Sequence, residues 1–505
     1  MKKIMLTVIS CFILLGSLTI VVADRLETKS ISEEPLKLGI EVLLEQKKDV
    51  IKGRRVGLIT NPTGVDQDLN SIVDILYHDP DVELTALYGP EHGVRGDAQA
   101  GDYVEYYIDE YTGLPVYSLY GETRKPTPEM LENIDVLLFD IQDVGVRFYT
   151  YIYTMALAME AAQENGIEFI VLDRPNPLGG NYVEGPVLDP DFASFVGNYP
   201  IPLRHGMTVG ELAMLFNEEF EIGADLTVVQ MDNWKRGMYY IDTELEFVMP
   251  SPNMPTFDTA LVYPGAALIE GTNVSEGRGT TRPFELIGAP FVNSVEFSQA
   301  LNGLRLDGVT FRAASFTPTF SKHSGTLSHG AQIHVMDIKA YDPVVTGLHI
   351  VKTLHDMYPE EFQFRAENSA GVSFFDYLIG NGWIRKAIEN GETVEAMVKE
   401  WQEELQIFKE VRRDYLIYTI HTYDLKKSIE RYVDVKDLEK NAAKKLKMHL
   451  TVVERFEARK DTAKVVKHMK SFLILLNKQK EAGQINETAY DALSSDANDL
   501  LYQWN

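Results

Sequence analysis

The chain of 505 residues contains a single cysteine, Cys11. It lies in an apolar stretch of 19 residues over 5–23 that follows Lys2 and Lys3 and ends Val21-Val22-Ala23 before Asp24. This pattern predicts a secretory signal peptide over 1–23. An uncleaved anchor is the alternative, because the run approaches the length that spans a bilayer. The mature chain then holds no thiol, which excludes disulfides, thiol catalysis and cysteine-ligated metals. Cys11 precedes most of the apolar run, whereas a lipid-modified cysteine follows it, so secretion is favoured over lipid attachment and no stable membrane insertion is expected once the leader is cut.

Positive charge is also scarce: 48 Lys and Arg face 75 Asp and Glu, a formal net charge of −27. Such a surface argues against nucleic acid as a partner. The deficit is uneven, since 421–505 carries 16 basic against 13 acidic residues, and this marks the C-terminal segment as a separate module. Several motifs are missing as well. No G-x-G-x-x-G follows the first strand candidate, where 59–64 reads ITNPTG, so the glycine geometry that cradles a pyrophosphate is absent. No P-loop, H-E-x-x-H or G-x-S-x-G is present. His205, His323, His329 and His334 lack the tight spacing of zinc ligands. Neither a cofactor nor a metal is expected.

What the chain does have is alternation. Apolar runs at 56–60, 84–88, 116–120, 136–141, 169–172 and 226–231 read as strands, several of them covered on both faces. Helical patterns at 71–77, 151–164 and 209–219 fall between them, with Gly166 as a C-cap. This order predicts an α/β fold: a Rossmann-like, mainly parallel sheet domain over 36–257. A second, smaller α/β domain is expected over 258–413, with Tyr263-Pro264-Gly265 as a hinge or turn. Beyond 414, Leu446, Leu450, Val453 and Phe456, then Val465, Met469, Phe472 and Leu476, then Ala489, Leu493, Leu500 and Trp504 recur at helical spacing, which predicts a helical bundle over 414–505.

Polar clusters gather at the strand ends, where ligands of open α/β sheets bind. GPEHG at 89–93 places Glu91 and His92 after the second strand. Asp140, Gln142, Asp143, Arg147 and Tyr149 follow the fourth, and Asp173, Arg174 and Asn176 the fifth. Arg204, His205, Asn253, Asn273, Glu276 and Arg278 come later. Carboxylates, amides, guanidinium groups and phenols in that number suit a polyhydroxylated ligand, which needs many directed hydrogen bonds.

Six strings, GPEHGVRG at 89–96, DIQDVGVRFYTY at 140–151, DRPNPLGG at 173–180, LRHGMT at 203–208, SPNMPT at 251–256 and EGTNVSEGRGTTRPFE at 270–285, resemble the NamZ-type exo-β-N-acetylmuramidases. The likeness spans roughly 36–413. It implies a Rossmann-like domain and a smaller α/β domain with the active site in the cleft between them, and removal of N-acetylmuramic acid from the non-reducing end of peptidoglycan glycans. The catalytic glutamate of that family falls on Glu91. A glycosidase needs a carboxylic acid to protonate the departing oxygen, and burial is the general means of keeping that proton near neutrality. The competing role for Glu91 is a loop cap or a pair with Arg95. Asp143 and Asp140 compete as the second carboxylate, unless one of them only pairs with Arg147; Glu276 is a further candidate across the cleft, or a turn carboxylate bound to Arg278 or Arg282. The separation of the two carboxyls decides between a nucleophile and a water-activating base. Arg147, Arg174, Arg204 and Arg278 are candidates for the lactyl carboxylate of muramic acid. In an extended segment His92 faces away from Glu91. The remaining polar residues are taken as substrate contacts.

The segment 446–483 resembles the FIMAH module of secreted bacterial hydrolases. Its lysines are candidates for contact with anionic wall polymer, or form an ordinary solvated face. The expected location is extracellular or wall-associated in a bacterium. Two rival readings are a noncatalytic muropeptide- or wall-binding protein and a metal-dependent wall amidase.

Overall fold

Segments such as VLLFD and EFIVL carry apolar side chains on both strand faces, so they are stable only where helices cover both sides of a sheet. The computed structural model describes residues 35–96 and 105–504; the expected signal peptide and Cys11 lie outside these. The strands run in chain order β1 (Arg55–Thr60), β2 (Glu83–Gly89), β3 (Tyr107–Ile108), β4 (Pro115–Ser118), β5 (Val136–Asp140), β6 (Glu168–Leu172), β7 (Glu184–Val187), β8 (Pro202–Arg204) and β9 (Leu226–Val229). Seven of them form one sheet in the order β3-β4-β2-β1-β5-β6-β9. Its pairs are parallel except that between β3 and β4. β7 and β8 form a separate two-stranded ribbon.

From β1 the chain builds outward through β2 and β4, then returns to build β5, β6 and β9 on the other side. That reversal opens a crevice beyond the carboxyl ends of the central strands. Helices Tyr151–Asn165 and Val209–Glu219 lie between successive strands. The first stops where Gly166 turns left-handed at φ 65°, and the second starts with a capping box of Thr208 and Glu211.

A second, smaller sheet is antiparallel, in the order β10 (Leu286–Ala289), β12 (Ser328–Val335), β11 (Val309–Phe316). Here the expectation of a hinge at Tyr263-Pro264-Gly265 fails, because these residues lie inside the helix Phe257–Ala266. The reason is helix crossing. A Cβ on Gly265 would stand 1.9 Å from the Pro343 carbonyl oxygen and 2.9 Å from Gly347 Cα, so Gly265 is small to admit the helix Pro343–Met357, not to turn the chain.

Four helices, Thr422–Asp434, Lys440–Glu457, Thr462–Glu481 and Glu487–Trp504, close the chain around their own core of Leu446, Leu450, Val465, Met469, Phe472, Leu476, Leu493 and Leu500. Polar latches fix them to the rest. Arg431 lies 3.3 Å from Glu184 and 3.9 Å above the Tyr182 ring, the Gly237 N–H donates to Asp424 at 2.7 Å, and Arg413 pairs with Asp499. Among the described residues no helix is long and apolar enough to cross a membrane.

Candidate active site

β2 ends in a tight turn. The Gly89 carbonyl accepts from the Leu119 N–H at 2.8 Å, and the Gly93 N–H donates to the Pro90 carbonyl at 2.9 Å. His92 and Gly93 adopt left-handed φ of 77° and 76°. A strand would send neighbouring side chains to opposite faces; this turn instead brings both Glu91 and His92 to one cavity of about 930 Å³. His92 therefore does not face away from Glu91. Tyr120, Tyr149, Tyr151 and Asn253 line the same side, and Tyr263, Glu270, Arg278 and Phe284 come from the chain beyond the first sheet.

Glu91 is half-buried among hydroxyl groups. The Thr150 hydroxyl donates to its Oε2 at 3.4 Å. The Tyr120 phenol bonds it too and is pushed up to about 12, chiefly by burial and then by the charge of Glu91. Arg95, the alternative partner, turns instead to Asp109 at 3.0 Å. Burial also raises the phenols of Tyr149, Tyr151 and Tyr263. Tyr263 feels both Glu270 and Glu91, so the two carboxylates act on one phenol.

The second wall, contributed by the chain beyond the first sheet, is built from ions. Arg278 lies 3.1 Å from Glu270 and 3.5 Å from Glu276, with its guanidinium 5.1 Å above the Phe284 ring. Lys322 stands 2.9 Å from Glu276 and donates to the Ile269 and Val274 carbonyls at 2.9 and 2.8 Å. Burial lowers Lys322 and raises Glu270; Arg278 opposes the rise in Glu270, and Glu276 adds to it. A buried carboxylate is tolerated when cations surround it in this way.

Other candidate residues do not line the cavity and have partners elsewhere. Asp143 accepts from the Gly145 N–H at 2.6 Å and lies 3.5 Å from His205 Nε2, while His205 Nδ1 accepts from the Met207 N–H. Asp140 is paired through both oxygens with Arg174, which also donates to the Val65 carbonyl. Gln142 donates to the Asp143 and Pro175 carbonyls. Arg147 is fully buried and spends its donors on the carbonyls of Pro186, Ile201 and Leu378, with neither Asp140 nor Asp143 as partner; burial pushes it down to about 10. Arg204 pairs with Glu184 and the Leu178 carbonyl. Asp173 accepts from Tyr418, Thr208 and the Gly210 N–H. Asn176 closes its own turn by accepting from the Leu178 N–H, and Asn273 bridges the backbone of Glu361 and Gln363. Glu276 meets Arg278 and Lys322 rather than Arg282, which pairs with Glu285.

Of the residue types expected at the site, the structure thus gathers Glu91, His92, Tyr149, Asn253 and Arg278 on the cavity wall. Glu270, Tyr120 and Tyr263 join them without having been singled out. Glu270 opens the string EGTNVSEGRG and was passed over beside Glu276; the available signal was that both carboxylates precede the same arginine. Among the described residues no group of three or more His, Cys, Asp or Glu is arranged to hold a metal ion.

Comparison with known proteins bears on this geometry. Residues 56–258 match the family model for the N-terminal part of the exo-β-N-acetylmuramidase NamZ, residues 261–418 that for its C-terminal part, and residues 422–502 the FIMAH domain. The chain is 61% identical over 419 residues to the peptidoglycan β-N-acetylmuramidase NamZ of Bacillus subtilis (strain 168), covering 83% of this chain and all of that protein. Two crystal structures of DUF1343 family proteins from Bacteroides fragilis NCTC 9343 share the fold. One has a TM-score of 0.69 at 41% identity over 76% of this chain and 99% of its own. The other has a TM-score of 0.63 at 32% identity over 77% of this chain and 100% of its own.

Proposed function

Because the chain belongs to the NamZ exo-β-N-acetylmuramidase family and is a peptidoglycan glycoside hydrolase, we propose that it acts outside the bacterial cell on glycan ends, releasing terminal N-acetylmuramic acid with Glu91 as general acid. The observation that carries the assignment is that two carboxylates from different parts of the chain, Glu91 and Glu270, line one cavity. Glu91 protonates the departing glycosidic oxygen, held in place by the Tyr120 and Thr150 hydroxyls. Glu270 takes the second position, where a negative charge stabilises the oxocarbenium-like transition state or serves the attacking group. Its pairing with Arg278 opposes the rise that burial gives it and so favours the ionised form that this role requires. Asp143, anchored to Gly145, acts through the loop that carries Arg147 and Tyr149.

The extracellular location follows from the leader pattern over 1–23, and the basic C-terminal helices are the surface for wall association. Release of a chromogenic N-acetylmuramic acid glycoside tests the reading. Wild-type protein should cleave it with or without chelator, and Glu91→Gln should bind without cleaving. Binding without turnover by the wild type would make the protein a wall-binding relative, and loss of activity with chelator together with peptide release would make it an amidase.

A further inference from the structure

An anionic chain with carboxylates inside its cavity repels a ligand that carries a carboxylate of its own, so recognition calls for cations not already neutralised. Arg278 is held by two glutamates, and Arg147, Arg174 and Arg204 are consumed in the interior. Two other arginines stand differently. Arg124, exposed between β4 and the helix Pro128–Leu131, lies 4.0 Å above the Phe195 ring. Arg365, also exposed, lies 5.1 Å above the Phe374 ring. Both rings line the cavity, Phe195 from the segment between β7 and β8 and Phe374 from the helix Phe374–Ile379.

Neither guanidinium has a carboxylate partner among the described residues, and each stands one ring away from the cavity. Both nonetheless act on groups at the site. The charge of Arg124 opposes the rise in Tyr120, the phenol that bonds Glu91, and Arg365 adds to the lowering of Lys322, which pairs with Glu276. Arg365 is also fixed next to Glu270, since its N–H donates to the Gly271 carbonyl at 2.8 Å and its own carbonyl accepts from the Ser373 hydroxyl. A guanidinium resting on an aromatic face keeps its in-plane N–H donors open for a carboxylate.

We propose that Arg124 and Arg365 form a carboxylate-reading rim, one cation beside each wall of the cavity, that docks an anionic group of the substrate. This rests on the glycosidase reading above. The carboxylate comes from the lactyl ether of muramic acid or from a peptide stem attached to it, and the two sources are separable by experiment. Hydrolysis is measured for a chromogenic N-acetylmuramic acid glycoside, for its lactyl methyl ester, and for a peptide-bearing disaccharide, with wild type, Arg124→Gln, Arg365→Gln and the corresponding lysine variants.

Each glutamine variant should raise KM for the carboxylate substrate about tenfold with little change in kcat, so that preference for acid over ester falls by that factor, and lysine should restore part of it. A loss seen with the free-acid glycoside assigns the lactyl group, and one confined to the peptide-bearing sugar assigns the stem. Equal losses on acid and ester would reduce both arginines to packing on phenylalanine and overturn the proposal, as would unchanged preference on both carboxylate substrates. Calorimetric binding of N-acetylmuramic acid against its methyl ester to Glu91→Gln, with and without the arginine changes, gives the same comparison independently of turnover. A wild type that cleaves none of the three substrates would instead overturn the glycosidase reading, leaving the calorimetric arm to decide the rim.

Discussion

The two walls of the cavity hold carboxylates in opposite ways. Glu91 stands at the end of a parallel strand among phenols and a threonine hydroxyl, groups that hydrogen-bond it without neutralising it. Glu270 stands in a lattice of alternating charges completed by Glu276, Arg278 and Lys322. Hydroxyl neighbours hydrogen-bond a carboxyl group in either protonation state, whereas at Glu270 the attraction of Arg278 opposes a rise that burial and Glu276 impose. The difference sets hydrogen bonding by hydroxyl groups against a balance of burial and opposite charge.

Replacing Glu91, the proposed acid, is the strongest way to break this contrast. Glu91→Gln should lower kcat about 10³-fold on a chromogenic N-acetylmuramic acid glycoside while the far-ultraviolet circular dichroism stays native. Glu270→Gln should cost about 10²-fold, and a loss equal to that of Glu91→Gln with the same pH profile would erase the distinction between the walls. Next in size is Arg278→Gln, which leaves buried Glu276 and half-buried Glu270 to one lysine. It should destabilise the fold by about 3 kcal/mol in urea unfolding, and adding Glu276→Gln should recover part of that loss. Removing a single phenol is milder: Tyr120→Phe should reduce kcat about tenfold by loosening Glu91 without affecting unfolding.

The smallest effect sharpens the comparison through a third environment. Asp173 and Asp496 are buried and Asp342 half-buried, none with a direct ion pair, and desolvation pushes each up to about 7. Their folded-state values exceed the unfolded ones, so the folded protein keeps protons that the unfolded chain releases. That contribution is complete below about pH 4 and is lost as pH rises through 7. His421, raised by its bond to Glu457, changes in the same direction. The Tm should be a few degrees higher at pH 5 than at pH 8, and Asp173→Asn should flatten the slope. A Tm that rises across this interval would show that hydroxyl and N–H donors suffice to keep these carboxyl groups ionised.

The first sheet was legible in the sequence because VLLFD, EFIVL and their neighbours have one stable solution, a strand covered on both faces. Glu91 was legible too, as a carboxylate in a glycine-rich strand end. Side-chain commitments were not. Nothing in DIQDVGVRF tells that Asp140 takes Arg174 from another loop, or that Arg147 is buried against carbonyls as distant in sequence as Leu378. Pro264-Gly265 misled for a related reason, since a glycine that admits a crossing helix has the same letter as one that turns the chain. Arg124 and Arg365 lie outside the polar clusters, and only the fold sets each on a cavity phenylalanine.

The latches at the C-terminal helices have a mechanical meaning. Tyr418 reaches Asp173 at the end of β6, the Ile417 N–H donates to Glu211, and Arg412 holds the Gly180 and Gly206 carbonyls. These contacts pin the segment that enters the last helices, and Arg431 and Asp424 hold the first of them to Glu184 and the Gly237 N–H, so the helices are a fixed bracket and not a swinging arm. Were wall polymer to bind this bracket, as proposed above, it would meet the cavity at one stand-off and one angle, so the spacing of free glycan ends, more than the search volume of a tether, would limit how often the molecule cuts.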